Sequence, residues 1–154
     1  MKKIFIDTEF TDFIHTSMIS LGMVTDAGEE EYIETTFNVK ECSDFVKVAV
    51  LPQLGQVPNA FCPRPDLRLR ILTWLSRVRQ GDEDVVILFD YTTDWDLFID
   101  ALDHQVPAWC KGANVAYHIN SLLQREHFAK TGQQEHHALH DARANCYAYR
   151  EPAS

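Results

Sequence analysis

Closely spaced cysteines are missing from this sequence. Its 154 residues contain four cysteines, Cys42, Cys62, Cys110 and Cys146, and no Cys-x-x-Cys pair. This spacing excludes a zinc ribbon and a dense disulfide framework. We therefore expect reduced and mostly buried thiols.

Long apolar runs are also missing. No stretch approaches the roughly 20 apolar residues that a membrane-spanning helix needs. The strand expected after Met1, Lys2 and Lys3 is too short for the apolar segment of a signal peptide. We expect no membrane association and a cytoplasmic protein.

Basic residues are scarce relative to acidic ones. Lys and Arg total 14 against 23 Asp and Glu, which gives a formal net charge of −9. This balance argues against a broad phosphate-binding surface that grips long duplexes. The net charge is compatible with binding of a short single-stranded nucleic acid end, because carboxylates that bind divalent cations reverse the local charge of their site.

The remaining composition is that of one ordinary folded domain. Apolar residues make up 45% and charged residues 24%, and there are no repeats or low-complexity segments. The chain is near the modal length of a single domain, so we expect one domain over residues 1–154.

Hydrophobic patterning predicts a run of strands and then strands that alternate with helices. The predicted strands cover residues 4–10, 18–24, 31–37, 85–89 and 115–117. The predicted helices cover residues 44–51, 66–78, 122–130 and 138–149, and a further helix after residues 90–93 holds Leu97, Phe98, Ile99 and Leu102. Residues 53–65 are predicted to be a loop. This order predicts an α/β fold, a mixed five-stranded sheet flanked by helices.

Two carboxylates follow the first apolar strand. Asp7 and Glu9 lie two positions apart, and alternate residues of a strand point to the same face. Such a pair at the edge of an apolar core needs a cation or a proton to compensate its charge. An isolated Asp-x-Glu is more often a solvated strand end, by roughly ten to one.

Further acids are predicted at the same edge of the sheet. Asp90 and Asp94 follow the fourth strand, and Asp141 opens the last helix. Asp94 alone would more often be a helix cap or a partner of the helix dipole, by roughly three to one. The occurrence of all these acids in order favours an enzyme.

The acids and one histidine follow the order found in a nuclease family. Asp7, Glu9, Asp94 and Asp141, with His136 five residues before the last acid, resemble the DEDD exonucleases of the histidine subtype (DEDDh). The resemblance implies a ribonuclease H-like fold.

Longer stretches resemble one branch of that family. Residues 7–10, 19–24, 50–54 and 138–143 are similar to ribonuclease AS, a bacterial group of 3′-to-5′ exoribonucleases acting on adenylate-rich RNA. The resemblance implies that the substrate is single-stranded RNA. Hydrolysis from its 3′ end would release nucleoside 5′-monophosphates. Relatives of this type are homodimers, and the resemblance implies that Thr8, Glu9 and Phe10 hold the terminal nucleotide.

The middle acid has competitors nearby. Asp94 is the predicted choice, because Leu97 and Phe98 supply the apolar residues that usually follow this acid. Many relatives carry Asn where this chain has Asp90. Asp90 and Asp96 remain alternatives.

The resemblance implies hydrolysis assisted by two Mg²⁺ or Mn²⁺ ions roughly 3.5–4 Å apart, which suits an all-carboxylate site. Asp7 would bridge both ions, Glu9 and Asp141 would complete one site, and Asp94 would hold the other. His136 would be the general base that takes a proton from the attacking water.

Other functions remain open. A 3′-to-5′ DNA exonuclease would use the same residues, since discrimination depends on contacts to the 2′-hydroxyl. A structural zinc module could use His136 and His140, which lie four residues apart. A non-catalytic relative that binds nucleic acid is disfavoured by the intact acids. His137 and His140 are otherwise expected at the surface.

Overall fold

Three strands open the fold, and helices then separate the remaining ones. The computed structural model describes residues 1–154. The strands are β1 (Lys2–Phe10), β2 (Met18–Thr25), β3 (Glu30–Thr35), β4 (Phe61–Cys62), β5 (Val85–Phe89) and β6 (Cys110–Asn114). The helices are α1 (Asp44–Ala49), α2 (Arg64–Val78), α3 (Thr92–Ala101), α4 (Ser121–Thr131) and α5 (Ala138–Ala148).

All six strands form one mixed sheet in the order β4-β3-β2-β1-β5-β6. The pairs β1–β2 and β2–β3 are antiparallel, whereas β3–β4, β1–β5 and β5–β6 are parallel. Phe5 is the last β1 residue paired with β5, opposite Leu88. The carboxyl-terminal half of β1 therefore extends past β5 and pairs only with β2.

Helices cover both faces of the sheet. On one face, α2 and α3 bury residues such as Ile71, Leu75 and Phe98 against Ile4 and Ile6 of β1. Fully burying a side chain of this kind contributes about 1.5–3 kcal/mol. On the other face, α5 packs on the sheet and α4 packs on α5.

A glycine allows α5 to approach the sheet closely. Gly22 of β2 pairs with Asp7 of β1. A Cβ atom at Gly22 would lie 2.6 Å from the Leu139 Cα atom and would also collide with the Ala138 carbonyl group. The absence of a side chain at Gly22 thus brings the first turn of α5 next to Asp7.

Polar side chains cap the start of two of the helices. The side chain of Ser43 accepts a hydrogen bond at the start of α1, and Asn120 does so at the start of α4. Gly132 ends α4 in the left-handed conformation, with φ of 67°. None of the helices combines the length and apolar character required to cross a membrane.

The predicted α/β class and mixed sheet are confirmed, but the prediction of five strands was wrong. The last strand is Cys110–Asn114, and residues 116–118 form a 3-10 turn instead of the predicted strand. This edge strand is polar and largely exposed, so it lacks the apolar signal of a buried strand. The strand that the sequence did not predict is β4, Phe61–Cys62, a two-residue pairing inside the predicted loop.

Candidate active site

The predicted acids lie at one edge of the sheet. Asp7 and Glu9 are on the part of β1 that extends past β5. Asp90 follows β5 directly, and Asp94 lies in the first turn of α3. Asp141 lies in the first turn of α5, which Gly22 brings close to β1.

Potential ligand atoms fall into two groups of three. One carboxylate oxygen from each of Asp7, Asp90 and Asp94 lies within 4.8 Å of the others. A second group joins Glu9 and Asp141 with a ring nitrogen of His136, within the same limit. The structure thus brings all five predicted catalytic residues into these two groups and adds Asp90.

Asp94 is fixed by the strand that carries the other acids. It is only 2% exposed, and its Oδ1 atom accepts hydrogen bonds from Thr8, from the backbone N–H at 3.2 Å and from the hydroxyl at 2.5 Å. Both donors of Thr8 are therefore committed to Asp94. Thr8 therefore supports Asp94, and its backbone N–H is not free to bind a substrate.

His136 lies in the loop that precedes α5. Its φ is 64°, in the left-handed region that residues with a Cβ rarely adopt. Its backbone N–H donates to the Asp141 Oδ2 atom at 3.2 Å, and its ring meets the Phe45 ring edge-on, with centroids 4.9 Å apart. The loop therefore links this histidine directly to a neighbouring acid.

Burial and mutual repulsion raise the pKa values of these acids. Burial, and then the charge of Asp141 and a hydrogen bond with it, raise the pKa of Glu9 to about 9. Burial raises the pKa values of Asp94 and Asp141 to about 7, although hydrogen bonds oppose the rise. Burial and the four nearby carboxylates raise the pKa of Asp7 well above its ordinary value. Protons or cations must therefore neutralise the cluster.

One unpartnered atom shows what kind of group fits. The Oδ2 atom of Asp7 is buried and has no hydrogen-bond partner, which is costly for a carboxylate oxygen. The potential metal ligands around it are carboxylate oxygens, which Mg²⁺ and Mn²⁺ prefer. The residues present therefore fit hard divalent cations.

A cavity of about 280 Å³ opens beside the acids. Asp7, Asp90, His136 and Asp141 line it together with further residues of α4 and α5. Arg125 of α4 lines this cavity and is exposed, and it makes neither an ion pair nor a side-chain hydrogen bond within the protein. Its guanidinium is available to an anionic ligand.

Aromatic side chains lie on the neighbouring surface. Phe10 is half-buried against the core and meets Phe13 edge-on at 5.2 Å. Phe13 is 70% exposed and lies 6.2 Å from the ring of Tyr91, next to Asp90 in sequence. Phe10 is thus one end of a short row of aromatic rings beside the acids.

The sequence left two alternatives to Asp94, and it gave the wrong position for one histidine. Asp90 joins Asp7 and Asp94, whereas Asp96 is exposed and belongs to neither ligand group. The expectation that His137 is a surface residue was wrong, since it is 5% exposed and stacks on the Tyr32 ring at 4.5 Å. Only the apolar residues that follow His137 could have signalled its burial.

The arrangement required by a structural zinc is not present. His136 precedes the first residue of α5, so His136 and His140 do not share a helix face. The ring nitrogen of His136 groups with Glu9 and Asp141, and the His140 Nδ1 atom lies 2.8 Å from the Gln134 carbonyl oxygen.

Comparisons with known proteins identify the fold. No protein-family model matches the chain, and a search of curated proteins finds no match. Among solved structures, the chain is similar to the nuclease domain of 3′hExo, a DEDDh family member, bound to rAMP, with a TM-score of 0.59. The two share 17% identity over 94% of this chain and 88% of that one. The chain therefore shares the overall fold of that nuclease domain.

Proposed function

We propose that this protein is a metal-dependent 3′-to-5′ exoribonuclease of the DEDDh type. It would shorten single-stranded RNA from the 3′ end and release nucleoside 5′-monophosphates, with adenylate-rich RNA as the preferred substrate. The observation that carries the proposal is the convergence of Asp7, Glu9, Asp94, Asp141 and His136 at one edge of a ribonuclease H-like sheet.

The acids would hold two Mg²⁺ or Mn²⁺ ions. Such ions, when bound, lower the pKa of an attacking water and stabilise the leaving oxygen of a phosphodiester. Asp7 would contribute to holding both ions, and the charges of all four neighbouring acids raise its pKa. Glu9 and Asp141 would hold one ion, and Asp94, with Asp90 beside it, would hold the other.

His136 would act as the general base. Its ring nitrogen lies with the carboxylates of Glu9 and Asp141, where the attacking water would be held. A positioned base of this kind typically contributes about 10²- to 10⁴-fold in rate. The neutral imidazole ring would accept the proton of that water.

The cavity supports a nucleotide as the ligand. Asp7, Asp90 and Asp141 line it together with Arg125, which could pair with a phosphate of the entering strand. The solved nuclease domain is bound to rAMP. We infer that the terminal nucleotide lies in this cavity, with Glu9 and Phe10 at its border and Thr8 supporting Asp94.

A DNA exonuclease is the second candidate. The same acids and histidine would cut either sugar, and only contacts to the 2′-hydroxyl would discriminate. The sequence resemblance to an exoribonuclease group and the ribonucleotide bound to the solved domain favour RNA. The homodimer that the resemblance implies and the cytoplasmic location expected from the sequence remain predictions.

Linear and circular RNA of the same sequence test the proposal. The protein should degrade linear RNA in Mg²⁺ or Mn²⁺, lose activity with EDTA, and spare the circle. Asp7→Asn, prepared in the same way, controls for contaminating nucleases. Cleavage of the circle at the linear rate would exclude an exonuclease, and faster loss of the matching DNA would exclude the RNA preference.

A further inference from the structure

One glutamine holds the loop that carries His136. Gln53 lies in the 3-10 turn Leu51–Gln53 that follows α1. Its Nε2 atom lies 2.7 Å from the Glu135 carbonyl oxygen and 3.3 Å from that of His136, more than 80 residues along the chain. The same atom lies 2.9 Å from the Ala49 carbonyl oxygen at the end of α1. The side-chain amide thus joins the end of α1 to the loop before α5.

The backbone that Gln53 contacts is in an unfavourable conformation. His136 has φ of 64°, which a residue with a Cβ keeps only where its surroundings hold it. On the amino side, its N–H donates to Asp141 Oδ2. On the carboxyl side, Gln53 is the side chain that reaches its carbonyl oxygen. The shorter contact of Gln53, at 2.7 Å to the Glu135 carbonyl oxygen, holds the preceding residue, so Gln53 and Asp141 together constrain this stretch of backbone.

The segment that carries Gln53 is itself anchored to the sheet. Glu34 of β3 is 9% exposed, and both of its carboxylate oxygens accept from the Gly55 N–H, at 3.1 and 3.2 Å. The Tyr32 hydroxyl donates to Glu34 Oε2 at 2.7 Å, and the Tyr32 ring stacks on His137. The contacts run from β3 through residues 53–55 to residues 135–137 and back to β3.

We propose that Gln53 is a positioning residue for His136, and that Glu34 anchors the segment from which Gln53 acts. This inference rests on the proposed role of His136 as the general base. Gln53 does not line the cavity beside the acids, and its contacts reach the site through the loop that carries His136. Its loss should slow the chemical step and leave RNA binding unchanged.

The amide chemistry defines an isosteric test. A glutamine NH₂ group donates two hydrogen bonds, whereas an ionised glutamate donates none and repels carbonyl oxygens. Gln53→Glu should therefore break the contact with little change in volume, and Gln53→Ala should remove it altogether. Gln56→Ala is the matched control, since Gln56 is exposed and its side chain makes no hydrogen bond.

Steady-state kinetics on a short RNA in Mn²⁺ give the first readout. We expect both Gln53 variants to lower kcat by about 10- to 100-fold, the effect of a small misplacement of a catalytic group. KM should stay within about twofold of the wild-type value, because differential loss in kcat marks an interaction made in the transition state. Gln56→Ala should behave like wild type. A rise in KM with kcat unchanged would overturn the inference.

A double-mutant cycle separates positioning from general damage. If Gln53 acts through His136, Gln53→Ala should cause no further loss of kcat in a His136→Ala background. An equal loss in both backgrounds would show that Gln53 acts elsewhere and would overturn the proposal.

Amide hydrogen exchange provides a readout that needs no nuclease activity. Gln53→Glu should accelerate exchange of the His136 N–H, while Gln56→Ala should leave it unchanged. If the wild-type protein has no nuclease activity, the proposed function fails, but this exchange result still tests the contact. Unchanged exchange at His136 in Gln53→Glu would overturn the positioning role itself.

Discussion

At the scale of single residues, the site depends on buried carboxylates that have few hydrogen-bond donors around them. Asp7 has a buried oxygen without a partner, and Glu9 holds a proton up to a pKa of about 9. Asp94 and Asp141 differ from them, because Asp94 accepts hydrogen bonds from both donors of Thr8 and Asp141 accepts one from the His136 N–H. These differences predict different consequences of removing each acid.

Substitution of the three candidate middle acids should give three different results. Asp94→Asn should lower kcat/KM by more than about 100-fold, because it removes a metal ligand. Replacing a residue that only supports a metal ligand typically costs about 10- to 100-fold. Asp90→Asn should cost about 10- to 100-fold, because its carboxylate lies beside Asp7 and Asp94. Asp96→Asn is the control, and its exposed side chain should tolerate the change. Equal losses in all three variants would contradict this assignment.

The three neighbouring histidines should also separate. His136→Ala should lower kcat by about 10²- to 10⁴-fold while the fold and metal binding survive. His140→Ala should matter little, and His137→Ala should mainly lower thermal stability, because His137 is buried between the Tyr32 and His140 rings. The measurements are rate, melting temperature and metal content of each variant. Stoichiometric zinc lost equally from the His136 and His140 variants would instead support a zinc module.

The sequence predicted residue identities better than their surroundings. The motif acids and His136 could be chosen because their order and spacing are visible in the chain. The burial of His137 could not be predicted, because it depends on stacking with Tyr32, a residue more than 100 positions earlier. The contact between Gln53 and His136 is equally remote in sequence.

At the scale of secondary structure, strong periodicity gave the correct helices and central strands. The predicted helix at residues 66–78 and the strand at 85–89 agree closely with α2 and β5. The edge strand β6 escaped prediction because tertiary packing stabilises a polar segment. Gly112 of β6 lies under the Trp95 ring, where a Cβ atom would approach the ring to 2.6 Å.

Gly22→Ala tests whether the close approach of α5 is needed for the site. The added methyl would collide with the backbone of Ala138 and Leu139 and push the first turn of α5 away from β1. We expect a loss of about 1–3 kcal/mol in the free energy of unfolding, as for other overpacked cores. Activity should fall even at temperatures where the variant is fully folded, because Asp141 moves with α5.

A matched control separates displacement of α5 from loss of stability. Val24 of β2 belongs to the same apolar cluster as Ala138 and Leu139, and Val24→Ala removes volume without crowding the helix. It should lower the melting temperature while retaining activity when folded. Gly22→Ala with wild-type activity would contradict the role given to the glycine.

At the scale of the whole molecule, the acid cluster makes stability depend on pH when cations are absent. Glu9, Asp94 and Asp141 hold protons to pKa values of about 9, 7 and 7, whereas unfolded carboxyls release theirs near pH 4. Raised folded-state pKa values contribute stability that is complete below pH 4 and is lost as pH rises to about 9. The cation-free protein should therefore become less stable from pH 6 to pH 8.5.

Thermal denaturation in EDTA at these two pH values measures the effect. Each kcal/mol lost lowers the melting temperature of a chain of this size by roughly 2–4 °C. Mn²⁺ should restore the stability at pH 8.5, and Asp7→Asn should reduce the dependence on pH by removing one of the repelling charges. A melting temperature that rises between pH 6 and pH 8.5 in EDTA would contradict the raised pKa values.

The most direct test of the central claim is the order in which nucleotides leave one RNA. The same single-stranded, adenylate-rich oligomer is labelled at its 3′ end in one sample and at its 5′ end in the other. In Mn²⁺ the proposed 3′-to-5′ order of cleavage predicts immediate release of a labelled nucleoside 5′-monophosphate from the 3′-labelled sample, and a ladder of gradually shorter products from the 5′-labelled one. Labelled mononucleotide released first from the 5′ end, or internal fragments before any mononucleotide, would contradict it.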